Sequence, residues 1–360
     1  MAVGLDCGTA FYIASRENSI KKERNAFLTL EGDHSTSLRM LARRKIPYVM
    51  VNKRMHIVGQ HSFEYAQVFG NSSLRRPMRS GLLNPTERDA LPVLKEIMKG
   101  LLGEPEYPGE LCVYCVPSKP IDVDSLVDYH EDVLGNIISS LGFTPQSIPE
   151  ALALGYEGLV DDDLTGIAIS MGAGMCNIAI MYEGILASAF SCSKGGDFID
   201  EHVAMDTGIT KPKVQNAKEA QGMNLSGEQV RITQGSASII NQSDLTNLQH
   251  AIKSYYGVLI NYLLQNINKK FETDKAIPQF PNPVKIVIGG GTSMVPGFID
   301  LFNEKLSNIE LPIAIKDVVL VEDTHNAVSK GCLSEALLSE EKPEILEPET
   351  PKKEKKSKKK

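Results

Sequence analysis

Val3-Gly4-Leu5-Asp6-Cys7-Gly8-Thr9 opens the chain, and Ile167-Ala168-Ile169-Ser170-Met171-Gly172 repeats its pattern near the middle. In each, a short apolar run ends at a polar residue and a glycine, and a second apolar run follows. This is the pattern of strand, tight turn, strand, over residues 3–14 in the first copy and 165–180 in the second. One such hairpin near the start of each half points to an internal duplication, with one hairpin per lobe. Around the hairpins, helical and strand patterns alternate. Helices are expected over 86–102, capped by Thr86, and over 125–141, 151–156, 198–206, 211–222, 243–271, 296–306 and 326–338. Strands are expected over 48–51 and 56–58, joined at Asn52-Lys53-Arg54, and over 111–116, 230–239 (as a pair) and 284–288. Run twice, this alternation predicts an α/β protein with two sheets.

A chain of 360 residues, 42% of them hydrophobic, is long enough for two domains with separate cores. No run of eighteen apolar residues is present, so no membrane-spanning helix is expected. The first residues lack the basic-then-apolar pattern of a secretory leader. The six cysteines are scattered through strand and helix patterns, which suits a reducing cytoplasm better than a disulfide framework. Cys112 and Cys115 form a CxxC inside a strand pattern, without the second pair or histidines that structural zinc requires, and read as buried strand residues. The net charge of −7 is divided unevenly, because residues 352–360 hold seven Lys and one Glu and leave the body strongly acidic. An acidic body argues against a general nucleic-acid-binding domain. Residues 339–360 are rich in Glu, Pro and Lys, have no apolar period, and are expected to be disordered.

A phosphate chain is bound by converging backbone N–H groups on a turn tight enough to aim them. There is no Walker A sequence and no GxGxxG, which removes the P-loop reading and weakens a dinucleotide one. Four glycine turns instead follow strand patterns or open helices: Gly8, Gly172-Ala173-Gly174, Gly195-Gly196 and Gly289-Gly290-Gly291. Each alone is better read as a structural turn. Their order and neighbours carry the argument.

Taken in order, the motifs resemble the superfamily of actin, the seventy-kilodalton heat-shock chaperones, sugar kinases and bacterial MreB. Leu5-Asp6-Cys7-Gly8-Thr9 looks like its first phosphate motif and Ser170-Met171-Gly172-Ala173-Gly174-Met175-Cys176 like its second. Val116-Pro117-Ser118 with Pro149-Glu150-Ala151 resembles the first connecting segment, and Asn326-Ala327-Val328-Ser329-Lys330-Gly331 the second. Ile288-Gly289-Gly290-Gly291-Thr292 resembles the adenosine motif. The likeness runs over residues 1–338. Within the superfamily, Arg76-Pro77-Met78-Arg79-Ser80-Gly81 and Gly195-Gly196-Asp197 are most like MreB and the MamK-type filament proteins.

The resemblance implies a two-lobed actin-like (duplicated ribonuclease H-like) fold with a nucleotide cleft between the lobes. The first lobe would take residues 1–160, with a small subdomain about 31–75 inserted and the helix 322–338 packing back on it. The second lobe would take 161–321, with a small subdomain about 205–275, and 339–360 would be the tail. ATP or ADP with Mg2+ would be the ligand. Asp6 would sit near the metal through water. Cys7, Gly8 and Thr9, with Gly172, Ala173, Gly174 and Met175, would surround the phosphates, beside Gly195, Gly196 and Asp197. Gly289, Gly290, Gly291 and Thr292 would pack against adenosine, and Lys218 would reach the ribose and base, a solvated helix lysine being the alternative. Glu150 would orient the attacking water and accept its proton; a capping glutamate is the plainer alternative.

The second phosphate motif departs from the family. Ser170 stands where an Asp is usual, and Met175 and Cys176 replace hydroxyl residues. Binding is therefore better supported than hydrolysis, and turnover is expected to be slow. The function expected is an ATP-binding cytoskeletal protein of MreB type that forms homopolymer filaments in the cytoplasm. The alternative is a non-polymerising, nucleotide-gated regulator or chaperone-like protein. The lysine tail would promote solubility, or touch an acidic protein or an anionic membrane.

Overall fold

A computed structural model describes residues 2–30, 39, 41–69, 74–220, 223–226 and 242–340. In the first half, β1 (Val3–Cys7), β2 (Phe11–Arg16) and β3 (Ser19–Arg24) form an antiparallel meander. β10 (Leu111–Val116) then lies parallel to β1, and β11 (Thr144–Pro149) parallel to β10. The second half repeats this plan. β12 (Gly166–Met171), β13 (Cys176–Tyr182) and β14 (Ile185–Cys192) are the meander, and β15 (Val284–Gly289) and β16 (Ile315–Leu320) the parallel additions. The strand orders, β3-β2-β1-β10-β11 and β14-β13-β12-β15-β16, correspond position by position. Two copies of one five-stranded sheet are what the repeated hairpin pattern predicts.

Between β3 and β10 the chain builds a smaller sheet in the order β5-β6-β4-β7, from β4 (Phe27–Leu30), β5 (Tyr48–Val51), β6 (Arg54–Val58) and β7 (Leu74–Arg75). Helix α1 (Gln60–Phe69) follows β6. A two-stranded hairpin of β8 (Met78–Arg79) and β9 (Leu82–Leu83) comes next, then α2 (Ala90–Leu102). α3 (Val127–Ser140) links β10 to β11, and α4 (Glu150–Gly158) leaves the end of β11. In the second half, α5 (Gly196–Thr207), α6 (Lys211–Glu219), the long α7 (Gln242–Thr273) and α8 (Phe298–Leu306) cover one face of the sheet, whose buried Ile167, Ile169, Ile178 and Ile288 join one core with Leu259, Leu263 and Phe302. The last helix, α9 (Ala327–Glu340), returns to the first half and packs on β1 and α4. A Cβ at Gly331 would lie 1.8 Å from the Ala153 carbonyl oxygen, so only glycine lets α9 approach α4 this closely.

Several expected boundaries move. α2 starts at Ala90 rather than after Thr86. The Asn84 side chain accepts from the Thr86 amide and hydroxyl (3.2 and 2.8 Å) and forms its own turn, while Asp89 is drawn to Arg54 and Arg75. α5 starts at Gly196, which brings Asp197 into its first turn. β3, β11, β14 and β16 lack a readable apolar pattern in the sequence. β11 carries Pro145 and Pro149 and is tolerated because it is an edge strand. α9 runs through Glu340, two residues into the segment expected to be disordered. Residues 341–360 and the strand pair expected over 230–239 lie outside the described residues.

Candidate functional site

The two hairpin turns, Asp6 to Thr9 and Gly172 to Met175, face each other across a cavity of about 500 Å3. That is within the usual range for a small-molecule site. Each turn sits at the end of the central strand of its sheet, so the duplicated topology itself brings them together. Asp6, Cys7, Gly8, Thr9, Glu150, Gly172, Ala173, Gly174, Met175, Gly196, Asp197, Lys218, Gly290, Gly291 and Thr292 all line the cavity.

The second turn is fastened from behind. The Gly196 and Asp197 amides at the start of α5 donate to the Gly172 and Ala173 carbonyls (3.0 and 2.8 Å), and the Thr292 hydroxyl donates to the Gly172 carbonyl (2.8 Å). The Tyr256 hydroxyl holds the Thr292 carbonyl at 2.9 Å. At one end the two turns touch. The Gly81 amide donates to Thr9 Oγ1 at 3.0 Å, and a Cβ at Gly174 would meet the Gly81 nitrogen at 2.3 Å. The Met175 side chain is buried and packs against Gly81.

Two acids mark the inner end. Glu150, at the start of α4, accepts from the Ser170 hydroxyl (2.7 Å) and the Asn177 amide (2.9 Å). Burial pushes its carboxyl above the ordinary range against these two donors. Asp6 accepts from the Cys115 thiol at 3.4 Å. Burial first, and then the Glu150 carboxylate, push it up to about 8. Asn177 Oδ1 also accepts from the Ser118 amide, so one side chain ties Glu150 to the segment following β10. That segment joins the second sheet: the Ile121 amide donates to the Ser191 carbonyl (3.0 Å), the Ser191 amide donates to the Lys119 carbonyl (3.2 Å), and Asp122 accepts from the Ser193 amide and the Tyr262 hydroxyl.

Three expected site residues are placed differently from the rest. Gly195 does not line the cavity; it packs behind the second turn, where a Cβ would lie 2.5 Å from the Gly172 carbonyl. Gly289 does not line it either, because it faces Leu154 in the core. Lys218 is at the wall but is engaged internally, with Asp200 at 2.7 Å and the Gly196 carbonyl at 3.0 Å, both in a buried setting. It holds the first turn of α5 instead of standing free. The sequence reading missed Lys22, Arg24, Phe11, Glu219 and His325, all in the wall, and gave no site role to Arg76, which also lines it. Arg76 pairs with both carboxylate oxygens of Asp197 at 2.9 Å, joining the start of the β8–β9 hairpin to α5. The Lys22 and Arg24 signal was present in β3, whose last four positions are charged, but a polar edge strand carries no pattern that points at a cleft.

A nucleoside phosphate fits these residues: the cavity has the volume, and at Gly291 a Cβ would meet nothing within 4 Å. Among the described residues, no three His, Cys, Asp or Glu side chains converge as a dedicated metal site. A magnesium ion would thus depend on phosphate oxygens, with Asp6 as the nearest acid of the first turn. None of the six cysteines is in a disulfide, and no described helix is long and apolar enough to cross a membrane.

Comparison with known proteins agrees with this architecture. The protein-family model Volactin matches residues 1–336. The cell division protein FtsA of Enterococcus hirae is 25% identical over 175 residues, which span 47% of this chain and 37% of that relative. Among solved structures, the MamK double helical filament superposes with a TM-score of 0.67 at 18% identity, covering 95% of this chain and 99% of that one. MreB5 of Spiroplasma citri bound to AMPPNP superposes at 0.60 and 15% identity, covering 94% and 95%. Identities this low speak to the fold, which is that of the actin-like superfamily. With the family model spanning nearly all of its length, the chain is a member of the Volactin family, built on the actin-like fold.

Proposed function

We propose that this protein binds ATP and ADP in the cleft between two lobes and polymerises into cytoskeletal filaments in the cytoplasm, with slow hydrolysis. The observation that carries the reading is the opposition of two glycine turns, at equivalent ends of duplicated sheets, across one cavity. Similar proteins, MamK and MreB5, are described as a filament and as bound to AMPPNP, which supports the same roles here. The lobes would be residues 1–160 with α9, and 161–321.

Backbone N–H groups of Gly8, Thr9 and Gly172 to Met175 would hold the phosphates, and Gly290 to Thr292 the nucleoside. Magnesium, when bound, would neutralise phosphate charge, with Asp6 holding it through water. Asp6 and Glu150 are mutually repelling acids, and a cation there relieves them. Glu150 would orient and deprotonate a water. Its two donors, Ser170 and Asn177, stabilise the carboxylate and limit the rise in basicity that burial brings. Ser170 also lacks the charge that an aspartate would offer a hydrated cation. Both features support slow turnover.

The test is sedimentation of purified protein over a concentration series with ATP, ADP or no nucleotide, with negative-stain images of the pellet. ATP-dependent pelleting with filaments is expected. A soluble monomer that still binds ATP would replace polymerisation with a nucleotide-gated regulator.

A further inference from the structure

Strand β3 reads Ser-Ile-Lys-Lys-Glu-Arg and has no apolar face. Its register places Lys22 opposite Ile13 and Arg24 opposite Phe11 on β2. Opposed residues of an antiparallel pair share a face, and all four line the cleft. An apolar pair on β2 is thus flanked by a cationic pair on β3. Lys22 Nζ lies 3.9 Å from the centre of the Phe11 ring, and the Arg24 guanidinium carbon 4.7 Å from it. Arg24 also lies 4.3 Å over Phe63 and donates to Gln60 Oε1 at 2.7 Å. The Lys22 ammonium meets His325 Nε2, and the His325 ring stands edge-on to Phe11 at 5.6 Å.

Neither Lys22 nor Arg24 forms a salt bridge with a described carboxylate. Both interact with aromatic faces and neutral acceptors. They also repel: burial and then Arg24 bring Lys22 down to about 8, and burial lowers Arg24 as well. Lys22 feels the charges of Glu219 on α6 and of Asp6, both of which line the same cleft. Elsewhere in the wall, among the described residues, the positive charge is already paired. The glycine turns offer backbone N–H groups, Arg76 is held by Asp197, and Lys218 by Asp200.

We propose that Lys22 and Arg24 are the charge-supplying contacts to the phosphate chain of a nucleoside di- or triphosphate, with Phe11 as the platform that holds both side chains over the cleft. This rests on the nucleotide reading above and adds to it the residues that neutralise the ligand. Lys22 is exposed and Arg24 partly buried, and neither has a salt bridge among the described residues, so a phosphate chain would replace the His325 and aromatic contacts with charge-assisted bonds.

The experiment titrates ATP, ADP and adenosine, each with magnesium, into the full chain and into Lys22→Met, Arg24→Met and Lys22→Arg. The methionines keep the aliphatic length. Each methionine variant is expected to weaken ATP binding by about 10- to 100-fold, to change adenosine binding by less than about twofold, and to flatten the fall of ATP affinity with salt. Lys22→Arg should recover most of the loss. If the unaltered protein binds ATP and both methionine variants bind it equally well, the proposal is overturned while the nucleotide reading stands. If adenosine binding falls in parallel with ATP, the residues shape the cleft and do not supply charge, which also overturns it. If the unaltered protein binds no ATP, the nucleotide reading fails and this inference with it.

Discussion

Ser170 shows how one side chain sets the chemistry available at the inner end of the cleft. Its hydroxyl donates to Glu150 at 2.7 Å, so a neutral donor occupies the place where the resembling families carry a second acid. Ser170→Asp would put a carboxylate at hydrogen-bond distance from Glu150 and close to Asp6, which burial and Glu150 already push up to about 8. In chelator, the variant is expected to lose about 1–3 kcal/mol of stability, read by chemical denaturation. With magnesium and ATP, phosphate release should rise about tenfold, because the added charge helps position a hydrated cation. Unchanged stability in chelator would mean that the Ser170–Glu150 contact does not form in solution. The Lys218 side chain, also in the wall, is paired with Asp200 at 2.7 Å.

At the scale of elements, α3 holds the β8–β9 hairpin through one buried histidine. His130 Nδ1 accepts from the Leu83 amide at 3.2 Å, and its Nε2 has no hydrogen-bond partner among the described residues. Burial brings the imidazole down from 6.5 to about 4. A histidine with a lowered folded value gives stability that is complete above its unfolded value and is lost as pH falls through the folded one. Below pH 6.5 the unfolded chain takes up the proton first, so stability declines from there toward pH 4. This one group contributes up to about 3 kcal/mol to that decline. Denaturation of the protein at pH 7 and at 4.5 should therefore differ by more than in His130→Gln, which removes the titration. Equal pH differences in the two proteins would show that the ring is solvated. The hairpin matters because its Gly81 amide reaches Thr9, so the packing of α3 bears on the shape of the cleft.

For the whole molecule, the question is what joins the two halves. α9 is interlocked with α4, and the segment 118–122 adds itself to β14 through backbone bonds. Across the open side, the described direct ties are fewer: Gly81 against Gly174 and Met175, and the Arg76–Asp197 pair. The pair is partly exposed, 26% and 22% for the two side chains, so about 1 kcal/mol or less is a fair value for it. Arg76→Ala is expected to speed amide hydrogen exchange at Gly81 and in β8–β9 by about fivefold, with little change in global stability. Exchange that stays the same would place the closure elsewhere, in the glycine contact itself.

The sequence by itself determined the two hairpins and the glycine turns between their strands. It also determined the alternation that makes the protein α/β, and it marked the two turns whose Asp6, Thr9 and Gly172 to Met175 line one cavity. These are local signals: strand periodicity, a turn that needs glycine, and a duplicated order that puts equivalent turns at equivalent sheet ends. Only the tertiary structure decided which charges meet. Arg76 finds Asp197 across 121 residues of chain, Lys22 finds His325 across 303, and Gly195 and Gly289 turn away from the cleft to let backbone and Leu154 pack. Such contacts arise from how two sheets and their helices pack, and a residue in a polar edge strand such as β3 has no periodicity to announce which cavity it faces.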